Sequence, residues 1–166
     1  MKPPDLAEQI EPLADLIECF DHIAIGVRDL AAAAGLFELL GGTFLTGADN
    51  PKRGFRWIHY RLPGGAKIEA LAPVSDDCFL WRFLESRGEG VHHLTFKVSS
   101  VTDAARRAES AGLKVVGLND EPGVWSECFI YPSSAHGTLI QLAEWPDDYA
   151  PSVSLEQVLS GAVVKD

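Results

Sequence analysis

FDHIAIGVRDLAAAA at 20–34 and VHHLTFKVSSVTDAA at 91–105 follow the same plan, an alternating strand running into a helix start. His22 in the first falls on His93 in the second, 93 − 22 = 71 positions later. The segments that close each half, KIEALA at 67–72 and LIQLAE at 139–144, set Glu69 against Gln141 at nearly the same offset, 141 − 69 = 72. The chain reads as a tandem duplication with a polar residue at matching points of each copy.

In the first copy Ile23, Ile25 and Val27 share one strand face, while Phe20, His22, Ala24 and Gly26 share the other. Asp29 is placed to cap the helix that follows, whose buried stripe is Leu30, Ala33, Ala34, Phe37 and Leu40, and Gly41-Gly42 ends it. Strands are predicted near 43–46, 54–62 and 66–71, with Pro63-Gly64-Gly65 turning between the last two. The second copy repeats this order. Strand 91–98 is followed by Ser100-x-x-Asp103 as a helix cap, a helix with Val101, Ala104, Ala105 and Ala108 inward, Gly112 as its stop, and strands near 113–117, 124–131 and 138–143.

The expected fold is therefore α+β: two tandem βαβββ modules whose curved mixed sheets form one trough. The single domain spans 20–145, with module 1 at about 20–75, a linker helix at about 77–88 (CFLWRFLESRG) and module 2 at about 90–145. Residues 1–19, with Leu6, Ile10, Leu13, Leu16 and Ile17 at helical spacing around Pro12, are expected as a helical extension. Residues 146–166 are expected as a loosely attached tail.

Composition narrows the function classes. Fourteen basic residues against twenty-four acidic ones leave a net charge of −10, which argues against non-specific nucleic-acid or anionic-membrane binding. At 46% hydrophobic the chain has ample material for a core. Its three cysteines are widely spaced with no CxxC, as in a reducing compartment. The N-terminus lacks the apolar core of a signal peptide, and no apolar run approaches the roughly 20 residues that span a bilayer. The expectation is a cytoplasmic protein.

The facing pattern carries the chemistry. If the branched apolar residues of the first and fourth strands turn toward the helices, His22, Glu69, His93 and Gln141 all turn the other way. Two imidazoles, a carboxylate and an amide oxygen suit one divalent transition metal per chain (Co, Mn, Ni, Zn or Fe). A six-coordinate ion so held keeps two positions for water or for a substrate offering two vicinal oxygens. An antiparallel sheet with a solvated face carries polar residues in any case. The adjacent His92 falls on the helix side with Leu94 and reads as a packed core histidine. Alternation alone leaves the facing of His59 and His136 open.

DHIAIGVRDL, IEALAPVSDD, FLESRGEGVHHLTFKV and YPSSAHGTLIQL resemble the vicinal oxygen chelate superfamily, which includes glyoxalase I, extradiol dioxygenases, bleomycin-resistance proteins and methylmalonyl-CoA epimerases. They are most similar to the epimerases, over about residues 20–145, and RGEGVHH is the most specific segment. The resemblance implies metal ligands at His22, Glu69, His93 and Gln141. The epimerases read His, Gln, His, Glu in that order, so the carboxylate and the amide have here traded places. The family's catalytic glutamate lies in a pattern like Asn-Pro-Glu-x-Gly, where this chain has Asn50-Pro51-Lys52-Arg53-Gly54.

The implied activity is that of a metal-dependent epimerase or isomerase, which removes a proton next to a carbonyl through a metal-stabilised enolate. Glu69 is the first candidate for proton transfer. Lys52 stands at the second base position, with His59 and Glu127 as further candidates. Arg53, Arg56, His59, Trp125 and His136 are candidates for substrate binding, the arginines for a carboxylate or phosphate. The partners implied are a small molecule, an acyl-CoA among the possibilities, and a second copy in a homodimer. Alternative readings are an isomerase of a sugar-like or hydroxy-ketone substrate or a glyoxalase-type enzyme, an Fe(II) dioxygenase, and a metal-free drug-binding resistance protein. Elemental analysis of untagged protein should find about one transition metal per chain, lost in His93→Ala.

Overall fold

A computed structural model describes residues 12–121, 125–147, 150 and 152–165. The elements run β1 (Ile17–Gly26), α1 (Leu30–Leu39), β2 (Thr43–Asn50), β3 (Phe55–Arg61), β4 (Lys67–Pro73), α2 (Leu80–Arg87), β5 (Gly90–Val98), α3 (Val101–Ser110), β6 (Val115–Asn119), β7 (Ser126–Ile130), β8 (Ile140–Glu144) and α4 (Leu155–Leu159). The repeated βαβββ order is present in both halves, as the patterning requires, and the class is α+β. None of the described helices is long and apolar enough to cross a membrane.

The chain divides into two compact units whose boundaries fall inside β1 and β5. The first takes the described residues of 21–93 and 150–166. Its strand order is β2-β3-β4-β1, antiparallel except that β1 and β4 run parallel with Ala24 opposite Glu69. Asp29 caps α1 by accepting a hydrogen bond from the Ala32 amide at 3.0 Å. At the other end Gly41 adopts φ +80°. Its N–H bonds Glu38 O at 2.9 Å and that of Gly42 bonds Phe37 O at 2.8 Å, a Schellman closure that a β-carbon at Gly41 would strain. Leu30, Ala33, Ala34 and Phe37 then pack on Ile58, Tyr60 and Ala70 of β3 and β4.

The second unit takes the described residues of 1–20 and 94–149. In it β5 pairs parallel with β8, followed by antiparallel β7 and β6. The helix α3, capped by Ser100 on the Asp103 amide, buries Val101, Ala104, Ala105 and Ala108 against Val98, Cys128, Ile130 and Leu142.

Both ends of the chain differ from expectation. Residues 1–11 of the predicted helical extension lie outside the described part. Residues 14–16 form a turn and 17–19 already belong to β1. The helical spacing there reflects burial against α3, where Leu16 enters the core and its carbonyl accepts from the Ser99 amide at 2.8 Å, so β-sheet context overrides the pattern.

Nor is the C-terminal tail loose. Ser154 and Gln157 form a reciprocal capping box on α4, and Val158, fully buried, joins the α1 core cluster. Beyond it Asp49 N–H donates to Val163 O at 2.8 Å and Lys165 N–H donates to Asp49 O at 2.9 Å. Val158→Ala should therefore cost about 2 kcal/mol, read as a lower urea midpoint with an unchanged slope.

Candidate metal centre

Neighbouring strands of the first unit carry His22 (β1), His59 (β3) and Glu69 (β4), and His93 enters from the start of β5. The register places His59 directly opposite Glu69, so the two side chains share a face, which alternation alone left open. His22, Glu69 and His93 are all buried. Glu69 Oε2 stands 3.5 Å from His22 Nε2 and 3.7 Å from His93 Nε2, and the donor atoms of the three lie within 4.8 Å of one another. A small divalent cation, with bonds of roughly 2.0–2.2 Å to nitrogen and oxygen, holds neighbouring donors about 3–4 Å apart. Two imidazoles and a carboxylate at this spacing fit such an ion.

Sequence reasoning missed Asp21. Its Oδ2 lies 2.7 Å from His22 Nδ1 and its Oδ1 accepts from Lys67 Nζ. A carboxylate behind one imidazole nitrogen fixes which nitrogen faces the site, the arrangement common behind metal-bound histidines. The Asp21-His22 dipeptide was the available signal. Residues adjacent in a strand leave on opposite faces, so a bond between their side chains is not what strand alternation predicts.

Electrostatics follow from burial. Burial alone would lower the His22 pKa. The negative charge of Glu69 and the hydrogen bond with Asp21 outweigh it and raise the value from 6.5 to about 9. Burial would raise the Glu69 carboxyl, yet the charge of His22 and hydrogen bonds from His22 and His59 bring it below its ordinary value. Asp21, also pushed up by burial, is pulled down to about 2 by hydrogen bonds from His22 and Lys67. His59 is shifted down, because burial exceeds the opposing pull of Glu69.

The other candidates are distributed as follows. Gln141 lies in the second unit, buried, with Oε1 accepting from Thr95 Oγ1 at 2.6 Å and Nε2 donating to Glu127 Oε2 at 2.6 Å. Trp125 Nε1 donates to the same Glu127 oxygen at 2.7 Å, and its ring stacks on Trp145 at 4.7 Å. Lys52 and Arg53 stand on the exposed turn between β2 and β3, at a surface hollow shared with Asp77 and Phe79. Arg56 is engaged structurally: it pairs with Asp49 and donates to Leu159 O at 2.7 Å, tying α4 to β2. His136 sits exposed in the turn before β8 with φ +53°. His92, half-buried, packs on Phe79 and Phe83 at ring distances of 5.7 and 4.9 Å, as a histidine on the helix side should.

Residues 21–129 match the Glyoxalase/Bleomycin resistance protein/Dioxygenase superfamily, and the chain belongs to that family. Its fold is the vicinal oxygen chelate fold. Among solved structures it is similar to a methylmalonyl-CoA epimerase from Mycobacterium tuberculosis, 29% identical with a TM-score of 0.72, covering 84% of this chain and 95% of that one. It is also similar to a methylmalonyl-CoA epimerase solved with methylmalonyl-CoA and NH4+, 25% identical with a TM-score of 0.70, covering 82% and 99%. An uncharacterised Bacillus subtilis protein, YqjC, is 25% identical over 127 residues, 75% of this chain and 90% of that one.

The shifted groups define a stability profile for the metal-free protein. The folded-state value of His22 lies above 6.5, so its contribution is fully present below pH 6.5 and is lost as pH rises to about 9. Asp21 gives the opposite limb, present above pH 3.8 and lost as pH falls to about 2. Thermal unfolding of chelator-treated protein should lose on the order of 3 kcal/mol between pH 6.5 and 9. His22→Gln should flatten that alkaline limb.

Proposed function

We propose that this chain is a metal-dependent epimerase or isomerase that exchanges the proton next to a carbonyl, with a 2-substituted acyl-CoA such as methylmalonyl-CoA as substrate. The observation that carries the reading is the convergence of buried His22, Glu69 and His93 in a chain similar along most of its length to methylmalonyl-CoA epimerases.

His22, Glu69 and His93 would hold a divalent cation. Such a cation supplies Lewis acidity, polarising a carbonyl oxygen and making the neighbouring C–H more acidic. Asp21 holds His22 with Nε2 toward the site. Glu69 is the acceptor of the substrate proton: its Oε1 carries two lone pairs, one of which takes the hydrogen bond from His59 at 3.0 Å. Burial of these groups limits water and strengthens each interaction. Inversion requires return of a proton on the opposite face, and Lys52, on the turn where the epimerases place a glutamate, is proposed for that step.

Lys52 also favours a second reading, in which the same proton chemistry serves another substrate, sugar-like or a hydroxy-ketone. An amine in place of a carboxylate changes which proton acceptor faces the substrate.

Protein loaded with Co(II) or Mn(II) in deuterated solvent should exchange the α-proton of methylmalonyl-CoA. Glu69→Gln should lower that exchange by about 100-fold or more while retaining bound metal. Exchange only with a hydroxy-ketone or sugar-like substrate would select the second reading. No exchange with any of them would remove the enzyme assignment.

A further inference from the structure

The two oxygens of Glu69 face different partners. Oε2 is turned to the imidazoles of His22 and His93, at 3.5 and 3.7 Å, whereas Oε1 lies 3.0 Å from His59 Nε2. The donor atoms that gather within 4.8 Å belong to His22, Glu69 and His93, and His59 is not of that group. It lies beside Glu69, on the strand position directly opposite. An ionised carboxylate only accepts, so the His59 nitrogen beside it carries the hydrogen and donates. The ring is hemmed in by its neighbours, with centroids 4.6 Å from His22 and 4.9 Å from Trp57. A carboxylate next to a metal ion binds through one oxygen or both, and nothing in glutamate itself decides which.

We propose that His59 is a positioning residue that keeps Glu69 a one-oxygen ligand, holding Oε1 on an imidazole N–H so that only Oε2 is offered to a cation bound by His22 and His93. The inference rests on the metal-enzyme reading above and deepens it. A one-oxygen carboxylate leaves one more coordination position for substrate oxygens, and it keeps a lone pair of Oε1 available for the proton. Without the N–H of His59, Glu69 is free to swing both oxygens onto the cation, filling a position the substrate needs.

The test compares wild type, His59→Phe and His59→Gln, each titrated with Co(II) and read by visible absorption and isothermal calorimetry. The d–d bands of Co(II) weaken as its coordination number rises, so the spectrum reports whether Glu69 uses one oxygen or two. In His59→Phe the bands should fall about two-fold and the Kd should change by about 10-fold or more. His59→Gln, whose amide N–H can still donate, should restore most of both. Wild-type spectrum and affinity in His59→Phe would overturn the positioning role while leaving the metal site standing. Failure of wild type to bind Co(II) would overturn the metal reading and this inference with it. A crystal structure of Mn(II)-loaded wild type decides independently of any variant's folding: Glu69 bound through one oxygen supports the role, and both oxygens on the metal overturn it.

Discussion

A carboxylate 8% exposed and surrounded by sheet must be compensated on every side, and Glu69 sets that requirement for the whole site. The compensation runs as a chain of alternating sign. Lys67 bonds Asp21, Asp21 holds His22, His22 faces Glu69, and His59 bonds the other oxygen of Glu69. Apart from the Asp21–His22 bond within β1, these links run between paired strands. The parallel β1–β4 register brings His22 opposite Lys67, and the antiparallel β3–β4 register brings His59 opposite Glu69. The same register that builds the sheet therefore also builds the charge network. A cation held by His22, Glu69 and His93 would supply the positive charge that the His22 imidazolium otherwise offers Glu69.

Much of this was legible in the residues. The duplicated βαβββ order, the caps at Asp29 and Ser100 and the Gly41 stop all follow from local physics, and each is present. The inward facing of His22, Glu69 and His93 followed from period-two alternation, because a one-residue slip would have turned the apolar residues to the wrong side. What could not be read required partners distant in sequence. His59 needed the β3–β4 register, Arg56 needed Leu159, and the burial of Val158 needed the β3 surface it covers. Ile23 shows the limit of alternation: it alternates with Ile25 and Val27 yet is 38% exposed, because a pattern assigns a face without saying how far a helix covers it.

The two halves diverged in where they keep their acid. Glu69 on β4 stands opposite His59 of β3, whereas Gln141 on β8 stands opposite Phe129 of β7, and Glu127 lies two positions earlier, opposite Ala143. In one half a histidine supports a carboxylate on the following strand, and in the other a carboxylate accepts from an amide on the following strand. In the first half the acid of this pair lies on the last strand, β4, and in the second it lies on the strand before the last, β7.

The pairing of residues 163–165 with Asp49 has a meaning apart from the site. In its unit β2 is the outermost strand, and its outer backbone groups would otherwise be open to pair with a strand of another molecule. The returning tail occupies part of that edge, and Arg56 anchors it by holding both Asp49 on β2 and the carbonyl of Leu159 on α4. Residues 163–165 thus cover part of the β2 edge and leave fewer of its backbone groups open to another strand, although they lie far in sequence from the strand they cover.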